Sequence, residues 1–292
     1  MFTSRAYSTI AVILCVVCLL IAFYWHFFAT VRKPGSHPQL DKRFILDFVP
    51  RPPARFTDCD DLFTGGTALD QFNMSSHYWS LYGEFQSATG KYQYVEGHSG
   101  SVIKQTMALH YLAARPSIRN VCETGFNLGH SSFNFLTANS KVIVHSFDIG
   151  THNYSGEMSM FMMKHFPSRF FIHFGDSTET LPRFIRENPK FRCDLIFIDG
   201  GHTLAIATAD LENAVSICNR SNGDNVIIFD DYPAFASWSY EIASAWENLI
   251  RQHSIVELMR CMYKHDIKSV PSYEYVMKQY IRGFVIGTMI QR

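Results

Sequence analysis

The stretch that decides the fold is DLIFIDGGHT at positions 194–203, in which four apolar residues run directly into an acid and two glycines. A second stretch, NVIIFDD at positions 225–231, has a similar form. Neither apolar run alternates with polar residues, which is typical of a parallel strand covered by helices on both faces. The two stretches therefore predict buried central strands of a layered α/β domain.

Outward from these stretches, strand-like and helix-like segments alternate from position 101 to the C-terminus. Seven strands are predicted, at positions 120–123, 141–148, 170–175, 194–199, 225–230, 255–259 and 283–289. Helical segments are predicted between most of them. This alternation predicts a doubly wound, mostly parallel sheet of seven strands over residues 101–292.

The first 100 residues have a different character. Positions 10–29 contain no Asp, Glu, Lys or Arg, and at about 1.5 Å per residue they are long enough to cross a bilayer of about 30 Å. We expect a transmembrane signal-anchor helix there, after a short tail at 1–9; a cleaved signal peptide is the alternative, although the apolar run is longer than usual for one. Repeated prolines predict an extended stalk over 30–57, and aromatic residues without a clear period predict an irregular cap over 58–100.

Two signals disagree about the orientation in the membrane. Arg32 and Lys33 follow the apolar segment and only Arg5 precedes it, which favours a cytosolic domain by the positive-inside rule. Three N-glycosylation sequons, however, begin at Asn73, Asn153 and Asn219. We expect a single-pass type II glycoprotein whose domain faces the Golgi or ER lumen, with the cytosolic orientation as the alternative.

The composition describes a folded chain with balanced charge. Hydrophobic residues make up 47%, and 26 basic residues balance 26 acidic ones. This balance removes the global positive field that attracts nucleic acid, so nucleic acid is not an expected partner. Five of the seven cysteines lie outside the apolar segment without metal-binding spacing, and Cys122, in a predicted strand, is expected to be a small buried hydrophobe.

Carboxylates follow five of the predicted strands. They are Glu123, Asp148, Asp176, Asp199 and the pair Asp230 and Asp231. In sheets of this type ligands bind beyond the carboxyl ends of the strands, and clustered carboxylates repel one another unless a ligand or cation compensates. Although acids and glycines are also common turn formers, this repetition predicts a binding site at that edge of the sheet.

The turn after the first of these strands reads ETGFNLGHS at positions 123–131. Gly125 permits a positive φ and a close approach of the backbone to a ligand, and Gly129 stands where a helix begins. The glycine spacing is not the G-x-G-x-x-G of a dinucleotide site. The acid before the glycines also disfavours a pyrophosphate and favours a ligand with ammonium or hydroxyl groups.

Together with SFD at 146–148, GDS at 175–177 and FIDGGHT at 197–203, this turn resembles the motifs of class I S-adenosylmethionine-dependent methyltransferases, and most of all the small-molecule O-methyltransferase branch called methyltransferase family 24. The resemblance extends over about residues 97–292. It implies a seven-stranded sheet with an antiparallel last strand. It also implies S-adenosylmethionine as cofactor, with its binding residues at Glu123, Gly125, Asn127, Gly129, His130, Ser131, Asp148, Asp176, Ser177 and Asp199.

Within that resemblance the cofactor residues have separate tasks. Glu123 and the turn from Gly125 to Gly129 would hold the methionine part of the cofactor. Asp148 would accept hydrogen bonds from both ribose hydroxyls, which suits a carboxylate. Asp176 and Ser177 would lie beside the adenine amino group.

The chemistry is predicted at the fourth and fifth strands. Three carboxylates in one pocket suit a divalent cation such as Mg²⁺, so Asp199, Asp230 and Asp231 form a candidate metal site. Catechol-type O-methyltransferases, which this region resembles, have an Asp-Asn pair where this chain has two aspartates. They place a lysine base where this chain has His202, so His202 is a candidate general base, beside Asp199 as the second candidate catalytic residue.

The predicted function is O-methylation of a hydroxyl on a small molecule, a glycan or a lipid. One alternative is a membrane-anchored binding protein on a catalytically inactive methyltransferase fold. A second is an NAD-binding oxidoreductase, which the glycine spacing and the lack of a Tyr-x-x-x-Lys motif disfavour.

Overall fold

The computed structural model of the chain describes residues 57–58, 73–93, 95, 99–219, 225–232, 239–252, 254–264 and 281–289. The predicted anchor at 10–29 and nearly all of the predicted stalk lie outside these ranges. Within them, no helix combines the length and the apolar character that a membrane crossing requires. The anchor, the stalk and the orientation in the membrane therefore stay predictions.

One sheet contains every strand of the described part of the chain. The strands are β1 (Thr57–Asp58), β2 (Asn120–Thr124), β3 (Ile143–Asp148), β4 (Phe170–Phe174), β5 (Leu195–Ile198), β6 (Val226–Asp230), β7 (Ile255–Lys264) and β8 (Ile281–Met289). Their order is β1-β7-β8-β6-β5-β2-β3-β4. Neighbours are parallel except β8, which is antiparallel to both β6 and β7. The predicted seven strands and the antiparallel last strand are confirmed, and the two-residue β1 is an addition at the edge.

Helices connect the strands and cover both faces of the sheet. They are α1 (Ser76–Thr89), α2 (Ile103–Ala113), α3 (His130–Ala138), α4 (Asn153–His165), α5 (Ser177–Glu187), α6 (Leu204–Ile217) and α7 (Tyr240–Arg251). A short 3₁₀ turn, Ser99–Ser101, precedes α2.

The central strands separate two hydrophobic cores. In β5, Leu195 and Phe197 belong to the core under α1 to α4, whereas Ile196 and Ile198 belong to the core under α5 to α7. Successive side chains of a strand point to opposite faces, so an unbroken apolar run supplies both cores. This explains why the stretch at 194–203 contains no polar alternation.

The segment predicted as an irregular cap, 58–100, contains helix α1, so that prediction is wrong over Ser76–Thr89. The side chain of Ser75 caps the helix by accepting a hydrogen bond from the backbone N–H of Tyr78 at 3.1 Å. Tyr78 and Phe85 are the buried residues of α1, and their spacing of seven places them on one face. Exposed aromatic residues between them obscured this period in the sequence.

Cys122 differs from its prediction as a simple hydrophobe. It forms a disulfide with Cys193, which precedes β5, and the two Cα atoms are 5.9 Å apart. The bond joins β2 to the segment that leads into its neighbour β5, and 71 positions separate the two cysteines in sequence. Cys261 of β7 is disulfide-bonded as well. Stable disulfides are typical of oxidising compartments.

Candidate active site

A cavity of about 540 Å³ lies at the carboxyl ends of β2, β3, β4, β5 and β6. Of the residues predicted from the sequence, those in its wall are Gly125, Asn127, Asp148, Asp176, Ser177, Asp199, His202, Asp230 and Asp231. The wall thus brings together residues from the ends of five different strands. The strand-end acids meet at one edge of the sheet, as the parallel topology requires.

The predicted ligand residues outside this wall are Glu123, Gly129, His130 and Ser131. Glu123 is completely buried, and its carboxylate accepts hydrogen bonds from the hydroxyls of Ser131, at 2.8 Å, and Ser132. Both serines lie in the first turn of α3, so Glu123 holds the start of that helix against β2. The ring of His130 lies against Phe85 of α1, with ring centroids 5.0 Å apart. These groups support the wall from behind.

The burial of Glu123 has an electrostatic consequence. Desolvation raises the pKa of its carboxyl group to about 7, although hydrogen bonds from Ser132 and Ser131 act in the opposite direction. The nearby Asp148 carboxylate adds to the increase. The net charge behind the cavity therefore changes near neutral pH.

Gly125 permits the close contact between the ends of β2 and β5. Its φ is +90°, and a Cβ at this position would lie 1.9 Å from the backbone oxygen of Asp199. No side chain fits into that space, so any other residue would force the two loops apart. The glycine therefore keeps Asp199 beside the turn that follows β2.

Asp148, the last residue of β3, is hydrogen-bonded to the backbone of two loops. Its Oδ2 accepts from the N–H groups of Phe126 at 2.8 Å and Asn127 at 2.9 Å, and its Oδ1 accepts from Gly150 at 2.7 Å. A carboxylate offers about four lone-pair positions, so these three bonds leave little further capacity. Asp148 both shapes the turn after β2 and faces the cavity.

The N-terminus of α5 forms another part of the wall. Asp176 caps this helix, since its Oδ1 accepts hydrogen bonds from the N–H and the hydroxyl of Thr178 at 2.8 and 2.7 Å. These bonds from Thr178 lower the pKa of Asp176. Asp176 is consequently an ionised acceptor at neutral pH, and Ser177 lies next to it in the wall.

At the other end of the cavity, Asp199, His202 and Asp231 form a cluster. One ligand atom from each lies within 4.8 Å of the other two. His202 Nε2 is 3.1 Å from Asp231 Oδ2. The two aspartates are half-buried and the histidine is exposed, so the cluster opens toward the mouth of the cavity.

Asp230 is not part of this cluster, which differs from the predicted metal set of Asp199, Asp230 and Asp231. Its Oδ2 instead accepts a hydrogen bond of 2.6 Å from Gln105 of α2. Asp230 ends β6, whereas Asp231 lies beyond the strand in a left-handed conformation with φ 56°. The turn of the backbone between them sends the two carboxylates in different directions.

Gln105, Thr124 and Asp210 are among the residues of this region that were not predicted from the sequence. Gln105 gave no signal, because it lies on a helix 125 positions away from its partner Asp230. Thr124 lines the cavity, and the alternation of side chains along β2 places it on the face opposite Glu123. Asp210 lies behind the wall. A charged residue among the buried residues of α6 is the sequence signal by which it could have been found.

Comparisons with known proteins identify this architecture. A family model described as a methyltransferase domain, that of methyltransferase family 24, matches residues 122–232. This range begins within β2 and ends just beyond the aspartate pair that follows β6. Over residues 122–232 the chain is therefore similar to a methyltransferase domain. The resemblance seen in the sequence motifs is thereby confirmed over the strands that carry the cavity.

Solved structures with a similar fold include O-methyltransferases. They include the O-methyltransferase from Bacillus cereus in complex with SAH (16% identity, TM-score 0.52, 75% of this chain and 93% of that one). A putative O-methyltransferase from Klebsiella pneumoniae has 12% identity and a TM-score of 0.54, over 75% of this chain and 92% of that one. TomG from Streptomyces achromogenes, in complex with SAM, has 14% identity and a TM-score of 0.52 over 75% and 92%.

At these identities the likeness establishes the fold of the methyltransferase domain. No curated protein matches the chain in sequence.

Proposed function

We propose that the methyltransferase domain transfers a methyl group from S-adenosylmethionine to a hydroxyl oxygen of its substrate. The observation that carries this proposal is that one cavity has two distinct ends. Gly125, Asp148 and Asp176 line the first end, and Asp199, His202 and Asp231 line the second. One end has the features of a cofactor site, and the other has a potential base. Related folds crystallised with SAH and SAM support the choice of cofactor.

The residues at the first end fit this cofactor. Thr124, Gly125 and Gly200 line this end of the cavity, where they offer a hydroxyl and backbone groups to a ligand. Asp176 offers an ionised acceptor, and Asp148 faces the same space. Bound there, the cofactor supplies an electrophilic methyl group on a positively charged sulfur, which the acidic wall stabilises.

At the second end, His202 takes the proton of the substrate hydroxyl. In the tautomer with a proton on Nε2, Asp231 Oδ2 accepts the hydrogen bond and Nδ1 carries the lone pair that acts as base. Asp231 thereby orients the ring and stabilises the imidazolium that forms. Asp199 contributes a third polar group beside the reacting oxygen.

The reaction balances without an oxidant or a reductant. A bond forms between the substrate oxygen and the methyl carbon, while the bond from that carbon to sulfur breaks and its electron pair stays on sulfur. The hydroxyl proton goes to His202. The products are a methyl ether, SAH and one proton.

We further propose a divalent cation at this end of the cavity. Asp199 and Asp231 would hold it with their carboxylates, and there it would lower the pKa of a bound hydroxyl. His202 would remain hydrogen-bonded to Asp231. This set replaces the one predicted from the sequence, because Asp230 is bonded to Gln105.

The wall also restricts the substrate. Its described residues include five aspartates and two histidines but no lysine or arginine. An anionic substrate would be repelled, so neutral or cationic hydroxyl compounds are favoured. Within that class a small molecule, a glycan and a lipid headgroup are all candidates.

We place the protein in the membrane by a single helix at 10–29, with the methyltransferase domain in the Golgi or ER lumen. The disulfide between Cys122 and Cys193 supports an oxidising compartment. A lumenal location would bring glycans and lipids within reach of the domain. A binding protein on an inactive fold remains the competing hypothesis.

Calorimetry on the full-length protein in detergent micelles tests cofactor binding. We expect micromolar affinity for SAH and none for NAD. Asp148→Asn should weaken SAH binding about tenfold and lower the Tm, because the substitution removes a charged acceptor from two loops. Glu157→Gln, at an exposed position of α4, is the control and should leave the affinity unchanged. NAD binding would support the oxidoreductase, and SAH binding without methyl transfer to any acceptor class would support the inactive fold.

A further inference from the structure

Asp210 is a buried carboxylate for which the fold alone gives no reason. It lies on α6 between apolar neighbours and is 1% exposed. Neither carboxylate oxygen makes a hydrogen bond of normal geometry in the described part of the chain. A buried carboxylate without well-formed hydrogen bonds lowers the stability of a folded protein, and an apolar side chain or an amide would be tolerated better there.

The groups closest to Asp210 belong to the cavity wall. The hydroxyls of Thr124 and Ser177 are near enough to stabilise its charge, although burial still raises the pKa of this carboxyl group to about 6. Thr124 comes from the end of β2 and Ser177 from the start of α5, and both line the cavity. Asp210 therefore lies directly behind two polar groups that face the ligand.

Gly200 separates this carboxylate from the cavity. A Cβ at position 200 would lie 2.9 Å from Asp210 Oδ2 and 3.1 Å from Thr124 Oγ1. Only glycine allows the loop after β5 to pass this closely over the two side chains. The loop, the carboxylate and the hydroxyls thus form one layered arrangement, with the hydroxyls on the ligand side.

We propose that Asp210 fixes the direction of the Thr124 and Ser177 hydroxyls and so makes this part of the wall selective for ligand groups that carry N–H donors. A hydroxyl has one proton and two lone pairs. When both hydroxyls turn their protons toward the carboxylate, their lone pairs face the cavity. Asp176, next to Ser177, is also an acceptor.

This inference rests on the proposed function, because the cofactor supplies the donor. The exocyclic amine of its adenine ring is an N–H donor, whereas a purine with a carbonyl at the same position presents an acceptor. The lone pairs of the Thr124 and Ser177 hydroxyls and the Asp176 carboxylate would repel that carbonyl oxygen. Asp210 is thus a positioning residue that sets specificity through its neighbours, without touching the ligand.

The test compares SAH with its deaminated analogue, S-inosylhomocysteine, by calorimetry on the full-length protein in micelles. The wild type should bind SAH at least tenfold more tightly than S-inosylhomocysteine, and this ratio of affinities is the quantity compared between variants. In Asp210→Asn, the amide nitrogen donates to a hydroxyl and lets it turn its own proton toward the cavity, so the ratio should fall to about threefold or less. Ser177→Ala should reduce the ratio by removing one acceptor.

Glu212→Gln is the matched control, because it makes the same chemical change on an exposed position of the same helix, and it should keep the wild-type ratio. Asp210→Asn should also leave the Tm of the ligand-free protein unchanged or higher. An unchanged ratio in both Asp210→Asn and Ser177→Ala overturns the inference while SAH binding upholds the proposed function. A wild type that binds neither compound refutes the proposed function itself.

Discussion

His202 Nε2 lies 3.1 Å from Asp231 Oδ2, although the two residues belong to loops that follow different strands. Asp231 adopts φ 56°, and the next residue, Tyr232, is completely buried. The backbone N–H of Tyr232 donates to the carbonyl oxygen of Gly283 in β8 at 3.0 Å. The antiparallel strand thus fixes the position of the carboxylate that orients the histidine.

The first prediction concerns this pair. His202→Ala should lower kcat by about 10² to 10⁴, the usual contribution of a general base, and should leave the Kd for SAH nearly unchanged. Steady-state kinetics and calorimetry on the same preparation measure both quantities. His77→Ala, at an exposed position of α1, is the control and should retain full activity. If His202→Ala also retains it, proximity and orientation alone carry the reaction.

The second prediction concerns the cation. Dialysis against a chelator should lower turnover at least tenfold, and Mg²⁺ or Mn²⁺ should restore it, because Asp199 and Asp231 offer hard oxygen ligands. Metal analysis of Asp199→Asn should show loss of the ion, whereas Asp230→Asn should keep it. Turnover that persists in chelator would contradict the cation. Loss of the ion in His202→Ala would indicate that the histidine is one of its ligands.

The third prediction concerns pH and Glu123. The folded protein raises the pKa of this carboxyl group from its usual 4.5 to about 7, so the folded state binds the proton more tightly than the unfolded state. The free energy of unfolding should therefore fall as the pH rises from about 4.5 to about 7, by roughly 3 kcal/mol in total for this group. Denaturant unfolding of wild type and Glu123→Gln from pH 4 to 8 measures it.

The difference in unfolding free energy between these two proteins is the informative quantity, because buried groups such as Asp210 contribute equally to both. As the pH rises, the unfolding free energy of Glu123→Gln should increase relative to that of the wild type. A constant difference across the range would show that Glu123 does not change its protonation state there. Circular dichroism at each pH controls for intact secondary structure.

The fourth prediction concerns the three sequons. Asn73 and Asn153 are exposed, but the Asn219 side chain donates to Asp194 Oδ1 at 2.8 Å. A glycan on Asn219 would break that bond. An endoglycosidase should therefore increase the gel mobility of the expressed protein, and the double variant Asn73→Gln and Asn153→Gln should abolish the shift. No shift in the wild type, with protease sensitivity on the cytosolic side of sealed vesicles, would reverse the orientation.

The sequence by itself determined the strands, the order of the acids and the family resemblance. These features depend on local patterns, since an unbroken apolar run such as 195–198 needs helices on both sides wherever it occurs. The position of an acid at the end of such a run then places it at the ligand edge of the sheet. Asp148 and Asp199 were found in this way, and Gly125 was found from the glycine-containing turn that follows the first of these strands.

Only the tertiary structure decided which of these groups face the cavity and which support it. Glu123 turned toward α3 because two serines of that helix satisfy its carboxylate, and Asp230 turned toward Gln105. The pairing of Cys122 with Cys193 and the position of Asp210 behind Gly200 likewise join residues that are distant in sequence or separated by a loop. Such contacts depend on how helices pack over the sheet, and no short pattern of residues encodes that packing.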